Sequence, residues 1–171
     1  MCITCNHQQN KHHVDRLRFY IDIVFFLNIN MAKFIGKWKG ESSAFKNYDN
    51  FSKASGMPDE MIEKLRNSTI YVEFKQDGDV WTLDFGSNVG PDKSYKFKSG
   101  EEVTTTDPWG KGLKFTFTID SDEKITQVEQ SESMGWKTFT VIKVMQGDDK
   151  FSERLALEDG TEMTCEFTRI S

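Results

Sequence analysis

The sequence predicts a mainly β protein, an antiparallel up-and-down barrel of about ten strands, with helix confined to one short stretch. Three observations carry this. Everything after residue 68 alternates between apolar and polar residues with period two. Turn residues interrupt that alternation at regular intervals. No helical segment separates one strand from the next, so the crossovers that a parallel sheet needs are missing.

The helical stretch comes first. Phe45, Tyr48 and Phe51 recur at i, i+3, i+6, and Gly56 then supplies a stop. Pro58 opens a second piece, with Asp59, Glu60 and Glu63 near its start and Met57, Met61, Ile62 and Leu65 forming an apolar stripe. Two short helices joined at Gly56 are expected. The strands follow. Ile70, Val72 and Phe74 share a face before the turn at Gln76-Asp77-Gly78-Asp79, and Trp81, Leu83 and Phe85 share one before Gly86-Ser-Asn. Tyr95 and Phe97 lead to Gly100, and Leu113, Phe115, Phe117 and Ile119 lead to Asp120-Ser-Asp. Phe139, Val141 and Met145 precede Gly147; Leu155 and Leu157 precede Gly160; Met163, Cys165 and Phe167 come last. So long a meander must protect its edges, and closure does so. A barrel of about ten strands is too wide for its own side chains to fill, so an internal cavity is expected.

Composition removes several functions. The chain has 171 residues, enough for one domain with a real core, and 22 Lys+Arg against 27 Asp+Glu leave a net charge of −5, which offers no basic surface for nucleic acid. All three histidines lie at or before His13, and Cys165 is the one cysteine after Cys5. The main body therefore has no His-assisted nucleophile, no His-ligated metal and no intramolecular disulfide, which suits a reducing, cytoplasmic setting. No cofactor is called for.

Residues 1–30 differ from the rest. Cys2-x-x-Cys5-x-His7 and His12-His13 hold metal-ligand residue types but lack a second well-spaced pair, so an unstructured tail is the expectation and no metal is assigned. The apolar run from Phe19 to Leu27 is interrupted by Asp22 and falls short of the roughly 20 residues that span a bilayer. Arg16 and Arg18 precede it as in a signal peptide, yet no small-x-small cleavage pattern follows. Met31 is a plausible initiator, so residues 1–30 are expected to be an extension outside the functional protein and residues 31–171 its domain.

Two cations fall in phase with apolar strand faces: Lys143 with Phe139, Val141 and Met145, and Arg169 with Met163, Cys165 and Phe167. Such side chains either snorkel to water at strand ends or face inward and need an anionic partner, which an acidic ligand head group would provide.

At this point the chain resembles the intracellular lipid-binding proteins that carry fatty acids, retinoids and bile acids. Phe34-Ile-Gly36-Lys-Trp38 resembles the family's opening Phe-x-Gly-x-Trp, and Phe97-Lys-Ser-Gly100-Glu-Glu102 resembles its Phe-x-x-Gly-x-Glu. The stretch from Asn47 to Lys64, and Lys75-Gln-Asp-Gly78, are most similar to the liver and ileal branch. The resemblance covers about residues 31–171. It implies a ten-stranded barrel under a helix-turn-helix lid that bears Phe51 and Met61, with a portal bordered by the turns around Pro91-Asp92 and Asp107-Pro-Trp109-Gly110. It further implies a monomeric cytoplasmic carrier for a long-chain fatty acid or bile-acid-like carboxylate, with transient membrane contact through the lid or Trp109.

The head-group site has two readings. In one register Arg169 is the family's interior arginine and Ser171 its hydroxyl neighbour; in the other, Cys165-Glu-Phe167 occupies the usual Arg-x-Tyr and the arginine is lost. Residue types favour the first. Lys143 falls near a second family arginine, retaining charge without the guanidinium's fork. The rival functions are a secreted lipocalin-like carrier, should residues 1–30 be a leader, and a barrel enzyme using Cys165 as nucleophile.

Overall fold

The computed structural model describes residues 33–171, which fall within the single compact unit Met31–Ser171. The Cys2–His13 tract, the apolar run and the question of an N-terminal extension lie outside the described residues. β1 (Gly36–Glu41) leads through a short 3-10 turn into α1 (Tyr48–Ser55) and α2 (Asp59–Leu65). Nine further strands follow: β2 (Thr69–Asp77), β3 (Val80–Ser87), β4 (Gly90–Phe97), β5 (Glu102–Thr106), β6 (Gly112–Ser121), β7 (Lys124–Ser131), β8 (Thr138–Met145), β9 (Lys150–Leu157) and β10 (Glu162–Arg169). Every pairing is antiparallel, and the one non-sequential neighbour is β10, which returns to pair with β1. The count of about ten strands and the two-helix stretch agree with the sequence reading, and Gly56 ends α1 in the left-handed conformation (φ 84°).

Closure is incomplete in one place. β4 and β5 form the two ends of the hydrogen-bonded order and do not pair with each other. Side chains bridge the opening instead: Phe97 stacks on Phe117 of β6 with centroids 4.4 Å apart, Tyr95 and Phe97 meet Phe115 edge-on, and Lys93 donates to Thr106 Oγ1 at 2.9 Å. Gly100, with φ 81°, makes the turn between the two strands, and its N–H donates to the Phe117 carbonyl.

Aromatic packing seals one end of the barrel. Phe34, Trp38, Phe74 and Phe151 are essentially inaccessible to solvent. Trp38 meets Phe151 edge-on at 4.9 Å, and Phe167 stacks on Phe151 at 4.8 Å and an interplanar angle of 6°. The Phe34-x-Gly36-x-Trp38 motif now has a physical reason. Trp38 Nε1 donates to the Phe34 carbonyl at 2.8 Å, and Gly36 lies so close under Arg169 that a Cβ there would meet its Nη1 at 2.6 Å. Helices α1 and α2 roof the opposite end. Phe51 and Ile62 are buried beneath them, Tyr48 donates to the Ile62 carbonyl at 3.0 Å, and Arg66 pairs with Asp49 and Glu63 to tie the helices together.

Candidate functional site

Between floor and roof lies a cavity of about 280 Å³, at the lower end of the roughly 300–1,000 Å³ usual for ligand pockets. Apolar side chains make most of its wall: Val72, Phe74, Leu83, Tyr95, Phe115 and Phe117 from one side, Val141, Leu155, Met163 and Phe167 from the other. Met57, Met61 and Leu65 look down from the lid region, half-buried because one flank faces this space.

A polar patch interrupts the apolar wall on β7 to β10. The pairing register sets Lys143, Glu153 and Cys165 in one cross-strand row, because Lys143 opposes Glu153 and Glu153 opposes Cys165. Lys143 donates from Nζ to Glu153 Oε1, with both side chains nearly buried, and Cys165 Sγ donates to Glu153 Oε2 at 3.6 Å. Gln127 and Glu129, alternate residues of β7, also face inward, and the Gln127 amide donates to the Glu129 carboxylate. Burial pushes Glu129 up to about 7; Glu153 and Asp107 push the same way, while Lys143 and the Gln127 hydrogen bond oppose them. Burial first, then Glu153, raises the Cys165 thiol far above the ordinary range. A thiol held protonated, with no imidazole among the described residues, is a poor nucleophile.

At the mouth, Asp107 accepts hydrogen bonds from the backbone N–H groups of Trp109 and Lys111, both at 2.9 Å, and from Ser133 Oγ. This holds the β5–β6 turn so that Trp109 covers the start of β4. A Cβ on Gly90 would meet the indole at 2.9 Å, so glycine there makes room for the ring. Trp109 lines the cavity, and its buried Nε1 has no hydrogen-bond partner among the described residues.

The structure separates the expected site residues into two groups. Lys143, Met61, Phe167 and Trp109 line the cavity. Arg169 does not, which corrects the favoured register. Its alternation parity matches the inward face, but β10 has passed the floor by that point, and Arg169 pairs with Trp38 beneath it. The guanidinium carbon lies 4.1 Å from the Trp38 ring centroid, and the group donates to the carbonyls of Lys33 (2.6 Å), Ile35 (2.7 Å) and Asp148 (2.8 Å). Ser171 is likewise outside, exposed, its carbonyl accepting from the Lys37 N–H. Cys165 and Phe167 thus occupy the interior positions, as the second register has it. Phe51 belongs to the roof, 2% exposed and edge-on to Phe139, with no face on the cavity. Pro91 and Asp92 are exposed residues of β4, not of a turn, beside a register shift opposite Gly86; Asp92 fills the space where a Gly86 side chain would go.

Glu129, Gln127 and Glu153 are the residues that sequence reading passes over. Glu153 was accessible by the same in-phase rule that singles out Lys143, since it alternates with Phe151, Leu155 and Leu157. β7 inverts the usual pattern: its inward positions read Ile125, Gln127, Glu129, Ser131, while Val128 faces out at 42% exposure.

Comparison with known proteins agrees with this architecture. A model of the lipocalin / cytosolic fatty-acid binding protein family matches residues 31–133. Gastrotropin of Rattus norvegicus is 34% identical over 130 residues, which are 72% of this chain and 98% of the relative. Fatty acid-binding protein type 2 of Fasciola hepatica is 33% identical over 118 residues, 69% of this chain and 85% of the relative. The Schistosoma mansoni fatty acid binding protein in complex with arachidonic acid superposes with a TM-score of 0.72 at 26% identity, covering 82% of this chain and 98% of its own. By fold and sequence, the chain belongs to the lipocalin and cytosolic fatty-acid binding protein family.

Proposed function

We propose that this protein is a monomeric cytoplasmic carrier that holds one long-chain amphiphile, a fatty acid or a related or bile-acid-like molecule, inside its barrel without altering it chemically. The observation that carries this reading is the apolar cavity of about 280 Å³ enclosed between an aromatic floor and a helical roof. The arachidonic acid complex of the Schistosoma mansoni relative supports the ligand class.

The energetics suffice. Removing about 15 methylenes from water at roughly 0.8 kcal/mol each gives about 12 kcal/mol gross. Association and ordering take back several kcal/mol. Micromolar or tighter binding follows from the chain alone, leaving the polar patch to set selectivity. Ligand entry requires α2, the Met57 linker before it or the Trp109 turn to move, because these border the cavity. Lys53, Lys64 and the lid as a whole would meet a membrane at that moment. The Cys165 enzyme reading is not favoured, since burial keeps that thiol protonated.

The test is mass spectrometry of lipids extracted from gently purified full-length protein, followed by titration with single-chain amphiphiles. One amphiphile per chain with saturable uptake is the expected result. Failure to take up any member of such a series overturns the reading.

A further inference from the structure

The carrier reading leaves open which head group the cavity accepts, and the polar patch on β7 to β10 bears on it. This patch is built from acceptors. Glu129 and Glu153 face the cavity with Lys143 as the cation beside them, and Lys143 already donates to Glu153. The Cys165 thiol donates to the second Glu153 oxygen, and the Gln127 amide to Glu129. Among the described residues, no arginine lines the cavity: Arg169 is bound to three backbone carbonyls beneath the floor. Among the described residues Gln127 makes the one side-chain hydrogen bond that reaches the Glu129 carboxyl group, which leaves that group acceptor capacity toward the cavity.

An ionised carboxylate can only accept. To share the remaining N–H donors of Lys143 it would have to lie against the Glu153 carboxylate that this cation already serves, a like charge brought beside a buried pair with no second cation to offset it. It would also lie near Glu129. A hydroxyl or amide both donates and accepts. It can donate to Glu129 and accept elsewhere, and the buried Trp109 Nε1–H, on a residue that also lines the cavity, is a donor with no partner among the described residues.

We propose that the cavity selects a long-chain amphiphile with a neutral, hydrogen-bond-donating head, a hydroxyl or amide, over the ionised carboxylate of the same chain length. The proposal rests on the carrier reading and names the ligand class of that same site.

The test titrates full-length protein at pH 8 with oleyl alcohol, oleamide and oleate, in the native chain and in Glu129→Gln. Oleamide and the alcohol bind more tightly than oleate in the native chain. Because desolvation alone favours neutral heads, the deciding quantity is the change in selectivity: Glu129→Gln reduces the oleate-to-oleamide ratio of dissociation constants about tenfold, the effect of removing one like charge a few ångströms away. An unmoved ratio, or oleate bound best by the native chain, overturns the proposal while leaving the carrier intact. If none of the three binds, the carrier reading itself fails. A second measurement needs no variant. The carboxyl carbon of bound, 13C-labelled oleic acid titrates above its range in free solution if the patch opposes ionisation, and a carboxyl that stays ionised down to its ordinary range overturns the proposal.

Discussion

The two ends of the barrel are built differently. At the floor, Phe34, Trp38, Phe74 and Phe151 interlock with almost no exposure, and Arg169 staples β10 to the chain before β1 and to the turn after β8. At the mouth, α1, eight residues long, rests through Phe51 on Phe139 and Met134, and α2, seven residues long, follows it, while surface contacts such as Arg66 with Asp49 and Lys137 with the Ala54 carbonyl hold the pair in place. Exposed ion pairs of this kind are worth little each. One end therefore supplies stability and the other supplies access. A carrier needs both, and a cavity sealed as tightly at both ends would not exchange its contents.

Substitutions can break that contrast. The largest effect belongs to the floor: Trp38→Ala should cost about 3–5 kcal/mol in denaturant unfolding, because the surrounding rings cannot collapse into the space. Phe51→Ala at the roof should cost no more than the low end of that range and should speed ligand release. Equal stability losses with unchanged release would erase the distinction.

Next comes the patch between the ends. Glu129 titrates near 7 in the folded chain and lower when unfolded. Folded and unfolded forms are both protonated at low pH. As pH rises from about 4.5 to about 7 the unfolded state ionises first, so this residue's contribution falls with pH and levels off above 7. Glu129→Gln should thus stabilise the protein at pH 8 by about 2–3 kcal/mol, and the difference from the native chain should vanish near pH 4. A constant difference across that window would place Glu129 elsewhere.

A smaller loss, about 1–2 kcal/mol, is expected for Arg169→Gln, through the Trp38 contact and the carbonyl hydrogen bonds. The ratio of acid to alcohol affinity should stay the same. A selective loss of acid binding would return Arg169 to the ligand. The smallest equilibrium effect is at the lid: a covalent link from α1 to the Met134–Lys137 turn, which approaches Gly56 closely, should slow exchange while shifting affinity little. Unaltered release rates would mean that ligand passes by another route.

Much of this organisation is legible before any coordinates. Alternation locates β2, β3, β6, β8 and β10, and the Phe45 to Leu65 spacing with Gly56 locates the helical lid, because one-sided burial imposes a period on the sequence. Legibility fails where that period stops being hydrophobic. β7 turns Gln127 and Glu129 inward, so its apolar pattern gives no warning of a polar patch. It fails also where parity is correct but depth is unknown: Arg169 follows Cys165 and Phe167 in phase, yet emerges past the floor. Pro91 and Asp92 look like a turn, whereas the register shift beside Gly86 lets β4 continue through them. The β4–β5 opening leaves no local trace, since it depends on how far two edges stand apart.

The sequence by itself determined that these residues fold as an antiparallel barrel with a helical lid and which strands turn an apolar face inward, because burial on one face of a strand or helix must be written as periodicity. Only the tertiary structure decided which charges meet. Lys143 finds Glu153 through a cross-strand register, and Arg169 finds Trp38 through the return of β10 to β1. Alternation fixes the face a side chain takes but not the partner it meets there, and the head-group preference we propose depends on the Lys143–Glu153 pair.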